Sequence, residues 1–102
     1  MMDNVITVCL YPKVGAFAED KDVARDIREQ IILPGISRGK DVCLDFEGVT
    51  SATQSFVHAL ISEVMRKYTA DVLDRIDFKN CNESVQKIIV IVADYMQQSD
   101  AA

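Results

Sequence analysis

No run of lysines and arginines, no C-x-x-C pair, no glycine-rich loop and no long uninterrupted apolar stretch occurs in this sequence. Each absence removes a class of function. Eleven basic residues against sixteen acidic ones give a formal charge of -5, so a nucleic-acid backbone or an anionic membrane surface repels the chain on average. Without closely spaced thiols or imidazoles there is no metal-ligand pattern, and neither a metal nor a cofactor is expected. Gly48 stands alone where a phosphate-cradling loop needs several glycines at set spacing. The opening MMDNVITVCLYP has an acid at Asp3, no basic lead and an apolar stretch cut short by Pro12, which reads as neither signal peptide nor membrane span. Cys9, Cys43 and Cys81 are odd in number and far apart, and Cys9 and Cys43 sit inside apolar runs. They are expected to be reduced core thiols, which points to the cytoplasm.

What is present is the material of one folded domain spanning residues 1–102, with 49% apolar residues to build a core and 26% charged residues to solvate its surface. Residues 5–11, rich in β-branched side chains, predict a strand ending at Pro12, and a second short strand near Val14 to Phe17 is expected to return along it. Asp20 or Asp22 caps a helix that turns Val23, Ala24, Ile27 and Ile31 inward and Lys21, Arg25, Arg28 and Glu29 outward, ending at Leu33-Pro34-Gly35. Val42 to Phe46 is nearly continuously apolar, as expected of a central strand covered on both sides, with Asp45 near its end. Gly48 to Thr53 supplies a loop, and a helix opening at residues 53–55 carries Val57, Leu60, Ile61, Val64 and Tyr68 inward as far as residue 68. A break at Thr69 to Asp71, a helical turn with Val72 and Leu73, and a strand at Ile76 to Phe78 follow. Asn82 caps a last helix over residues 83–97, and residues 97–102 are expected to fray. This alternation predicts an α/β fold: a small mixed sheet of about four strands packed with three or four helices.

Chemistry-bearing residues concentrate in VCLDFEGVTSATQSFVHALI, residues 42–61. Leu44-Asp45 closing an apolar strand, Gly48-Val49 after it, and a hydroxyl-rich entry to a helix resemble the STAS domain of anti-sigma-factor antagonists. Thr53 stands where that pattern has an acid, Gln54 replaces a serine, and Phe56 replaces a glycine. The phenylalanine after Ser55, the Glu47-Gly48-Val49 turn and the asparagine-rich entry to the last helix resemble more closely the STAS-like domain family of unknown function called DUF4325. The resemblance spans roughly Ala16 to Met96. It implies a STAS-like fold, a bacterial regulatory protein–protein interaction domain, a histidine-kinase-like ATPase partner, and Ser55 as phosphoacceptor.

The residues leave three readings of the helix entry open: Ser51, Thr53 and Ser55 only cap the helix, or they form a binding surface, or Ser55 is a phosphoswitch. The expected partner surface comprises Asp45, Glu47, Gly48, Thr50, Ser51, Thr53, Gln54, Phe56 and His58. A rival reading is a small enzyme or ligand-binding domain built on Asp45, Glu47 and His58 at the strand end. Against it, His58 is expected on a different helix face from Ser55, with no acid placed to orient it, so no catalytic residue is assigned. A third reading is a dimerisation domain, because the last helix carries more apolar residues, notably Val90 and Ile91, than one face can bury.

Overall fold

A computed structural model describes residues 4–100. β1 (Val5–Cys9), β3 (Asp41–Asp45) and β5 (Ile76–Lys79) form a three-stranded sheet in the order β1-β3-β5, and both pairings are parallel. β2 (Phe17–Ala18) pairs in parallel with β4 (Ser51–Ala52) as a separate two-stranded sheet. The α/β class expected from the sequence is therefore present, with the strands divided between two parallel sheets. The second strand does not return along β1; it pairs with a strand inside what reads in sequence as the Gly48 to Thr53 loop.

Between β1 and β2, Leu10 begins a short helical turn, α1 (Tyr11–Val14), so the first strand stops at Cys9. Proline suits this position because the first turn of a helix has no partner for its N–H. α2 (Lys21–Ile27) is capped by Asp20, whose carboxylate accepts from the N–H groups of Asp22 and Val23. The helix does not end at Leu33-Pro34-Gly35. It continues through a π-helical segment (Arg28–Ile32) into α3 (Leu33–Ser37), where Pro34 again occupies the first turn. α3 lies close on the sheet: a Cβ at Gly35 would come within 2.8 Å of Ile6 Cδ1.

α4 (Gln54–Tyr68) and α5 (Glu83–Asp100) are the two long helices, linked by a 3-10 segment (Ala70–Arg75) and β5. Phe56, Val57, Leu60, Ile61, Val64 and Met65 of α4 and Val85, Ile89, Val92 and Met96 of α5 are buried together with Val8, Val42, Leu44 and Ile76 of the sheet. α5 runs past the expected fray at Gln97 to Asp100; residues 101–102 lie outside the described residues.

Arg28 corrects the outward-facing assignment. It is buried, with its guanidinium donating to the Ala59 carbonyl of α4 at 2.9 Å and to Glu29 at 2.9 Å. The central strand also departs from expectation. In register, Ile6, Val42 and Ile76, then Val8, Leu44 and Phe78, share the face that packs on the core. Thr7, Cys43 and Asp77, with Cys9, Asp45 and Lys79, share the other, where Thr7, Cys9, Asp77 and Lys79 are exposed. Among the described residues, no helix covers this outer face. Cys43 is buried there at 8% exposure by the flanking strands, which is why β3 reads as continuously apolar.

Candidate functional site

Parallel pairing sends the ends of β1, β3 and β5 to the same side of the molecule, where open α/β sheets leave room for loops and ligands. The backbone there is stitched across strands: Leu10 N–H donates to Asp45 O at 3.0 Å and Phe46 N–H to Lys79 O at 2.8 Å. Asp45 is half-buried, and its Oδ1 accepts from Asn80 Nδ2 at 2.9 Å and from the Glu47 N–H at 3.0 Å. The hydrogen bond from Asn80, then that from Glu47, hold its carboxyl below the usual carboxylate range.

Val49 N–H closes a turn on Phe46 O, and Gly48 within it has φ +91°. Its backbone lies against the Tyr11 ring, which a Cβ would meet at 2.8 Å. Thr50 follows, donating to Ala16 O through both N–H (2.7 Å) and Oγ1 (3.0 Å), while Asn82 Nδ2 donates to Thr50 O at 2.8 Å. These bonds place β4 beside β2 and fix the direction in which α4 starts.

Thr53 is the cap of α4. Its Oγ1 accepts from the Phe56 N–H at 3.1 Å, and its own N–H donates to Ala18 O at 3.0 Å. Of the four N–H groups that a helix start leaves without partners, those of Thr53 and Phe56 are thereby taken, and those of Gln54 and Ser55 stay on the helix end. Ser51 is in β4. Ser55, at the second position of α4, is exposed, and its hydroxyl is not needed as the cap.

Ser55 borders a groove of about 450 Å³ between α4 and α5. Gln54, Ser55, His58 and Ala59 line it from α4, Ile91, Val92 and Tyr95 from α5, and Lys21 from the start of α2. His58 therefore shares a wall with Ser55. Residues three apart on a helix are surface neighbours, so the separation of faces expected from sequence does not hold. The groove's lining contains neither Asp45 nor Glu47. Asp45 is held by Asn80 and the Glu47 backbone, so the structure does not gather Asp45, Glu47 and His58 into one cavity.

The expected partner surface also loses a member. Phe56 is 0% exposed, because the third position of α4 turns it into the core beneath Thr53. Glu47, Gly48, Thr50 and Gln54 are exposed, and Ser51, Thr53 and His58 are partly so. The α5 wall, with Ile91 and Tyr95, was not part of the sequence-derived site; exposed apolar residues on a helix that already buries another stripe are its only signal. The thiols divide as well. Cys9 is exposed on the outer face of the sheet, contrary to a core role, whereas burial pushes the thiols of Cys43 and Cys81 up. Among the described residues, no three His, Cys, Asp or Glu side chains are grouped as a metal site, and no helix is long and apolar enough to cross a membrane.

A parallel strand ending in a pinned aspartate, a glycine turn, and a capped helix with an exposed serine in its first turn stand together at this end of the α/β framework. The chain belongs to the STAS-like domain family of unknown function, DUF4325, whose model matches residues 23–86. No curated protein and no solved structure matches it.

Proposed function

We propose that the protein is a non-catalytic regulatory domain that presents the start of α4 and the adjoining α4–α5 groove to another protein, a histidine-kinase-like ATPase in the STAS manner, and that Ser55 is the switch. The observation that carries this reading is the position of Ser55: exposed, on the wall of a groove, and relieved of capping by Thr53. A phosphate there lies beside the N–H groups of Gln54 and Ser55 and the positive end of a 15-residue helix, with Lys21 and His58 on the same groove. It also adds about -1.5 to -2 charges at neutral pH to a surface that is otherwise partly apolar, enough to reverse a docking preference. Glu47, Gly48, Thr50 and Gln54 extend the same surface towards the strand end.

The test is incubation with a histidine-kinase-like ATPase and ATP, followed by phosphopeptide mapping and a binding assay. Label on Ser55, lost in Ser55→Ala, together with weakened binding of Ser55→Asp, is the expected result. Binding that ignores both Ser55→Asp and His58→Ala sinks the proposal.

A further inference from the structure

α5 buries Val85, Ile89, Val92 and Met96, and opposite them it carries Glu83, Lys87 and Asp94, but the polar stripe is flanked by exposed apolar residues, Val90 on one side and Ile91 and Tyr95 on the other. Val90 is 56% exposed, Ile91 47% and Tyr95 62%. Shallow grooves flank them continuously. The groove beside Ser55 shares Ile91 with one of about 380 Å³ along Lys87 and Val90, which shares Val90 with one of about 300 Å³ against Phe78 and Cys81.

The charges around this apolar centre are arranged with opposite signs at its two ends. Lys87 precedes Val90 by three residues and Asp94 follows Ile91 by three. Two helical turns separate them, so both lie on the line that runs between Val90 and Ile91. Among the described residues, neither takes part in an ion pair.

From this we propose that the outer face of α5 is the interface of a homodimer, in which a second copy of the helix packs antiparallel about a two-fold axis at Val90 and Ile91. In that arrangement, the apolar residues of both copies meet at the axis. Each Lys87 then faces the Asp94 of the other copy. A parallel copy would set Lys87 against Lys87 and Asp94 against Asp94, so the charge order selects the antiparallel one. The interface is isologous, the same patch used twice, which is what a two-fold dimer requires. Apolar contacts on the two flanks contribute to the association, and the two ion pairs on the contact line, one turn either side of the axis, set orientation and register. Residues 87–95 lie beyond the segment that the family model matches, so the family assignment does not supply this interface.

The experiment is sedimentation equilibrium of the whole chain, with no partner protein present, so its outcome is separate from that of the Ser55 proposal. The wild type is expected to dimerise. Lys87→Asp and Asp94→Lys each convert two attractions into two repulsions and are expected to weaken the dimer at least about tenfold. An equimolar mixture of these two variants is expected to form a heterodimer, since each chain then offers the charge that the other needs, and the double variant Lys87→Asp/Asp94→Lys to regain the homodimer. Circular dichroism of each variant establishes that α5 is still folded. A wild type that is monomeric at millimolar concentration, or a mixture that associates no better than either variant alone, overturns the proposal.

Discussion

Asn80 donates its side-chain amide to the Asp45 carboxylate at 2.9 Å, joining the ends of two neighbouring parallel strands just where the sheet gives way to loops. Asn80 can do so because it sits at φ 58°, a left-handed conformation that asparagine tolerates better than most residues.

This bond has a pH signature. The folded-state pKa of Asp45 is lowered by Asn80 first and the Glu47 N–H second, so its contribution is fully present above the ordinary aspartate pKa of about 3.9 and is lost as pH falls through the lower folded value. Wild-type stability in chemical denaturation is expected to decline as pH drops below about 4. Asn80→Ala should shrink that decline, and Asp45→Asn should remove this residue's share of it.

Gly48 tests the turn that leads to α4. Alanine there must adopt a φ of +91° and set its Cβ 2.8 Å from the Tyr11 ring. Gly48→Ala is expected to cost about 1–3 kcal/mol, read from the denaturation midpoint. With Tyr11→Ala in the background, the steric part disappears and the cost falls towards the backbone part alone, so the two substitutions should be less than additive.

Arg28 ties the π-helical segment to the middle of α4. Replacing it with methionine keeps much of the apolar stem but withdraws the donor to the Ala59 carbonyl. Arg28→Met is expected to destabilise the fold by about 1–3 kcal/mol, and Arg28→Lys, which lacks the planar fork, by less. Urea denaturation of both variants checks the order.

Thiol labelling distinguishes the three cysteines. In the native protein, Cys9 is expected to react first with an aromatic disulfide reagent, since it is exposed, whereas Cys43 and Cys81 hold their thiolates back through desolvation. Cys9→Ser should abolish the fast phase. Complete labelling of Cys43 should need unfolding.

α2, α4, α5 and the three longer strands were legible because a cap or an apolar run is written in a few adjacent residues, whereas α1 and α3 were not. Asp20, Thr53 and Asn82 each accept from the helix N–H groups that their positions predict. Two-residue strands carry no such signal: Phe17–Ala18 and Ser51–Ala52 exist because Thr50 and Thr53 bond to Ala16 and Ala18, partners far away in the chain. The same holds for Arg28, which looks like any outward arginine until Ala59 is brought beside it. Ser55 was legible as the first-turn hydroxyl, but the α5 side of its groove was not. Phe56 was misread because its place in a motif suggested a surface role, while the third position of a helix capped at Thr53 faces the core.

Every strand pairing among the described residues, in both sheets, joins residues about thirty-five positions apart. Among the described residues there is no hairpin from which a sheet could begin. Helical segments can form from local contacts, but no ladder can close until a long stretch of chain has been drawn together, so refolding should be slower than its size suggests. As the chain emerges during synthesis, Val5–Cys9 must wait for Asp41–Asp45, and those in turn for Ile76–Lys79. Until then, β1 and β3 are apolar strands without neighbours, and those waiting intervals are when the protein is most exposed to aggregation.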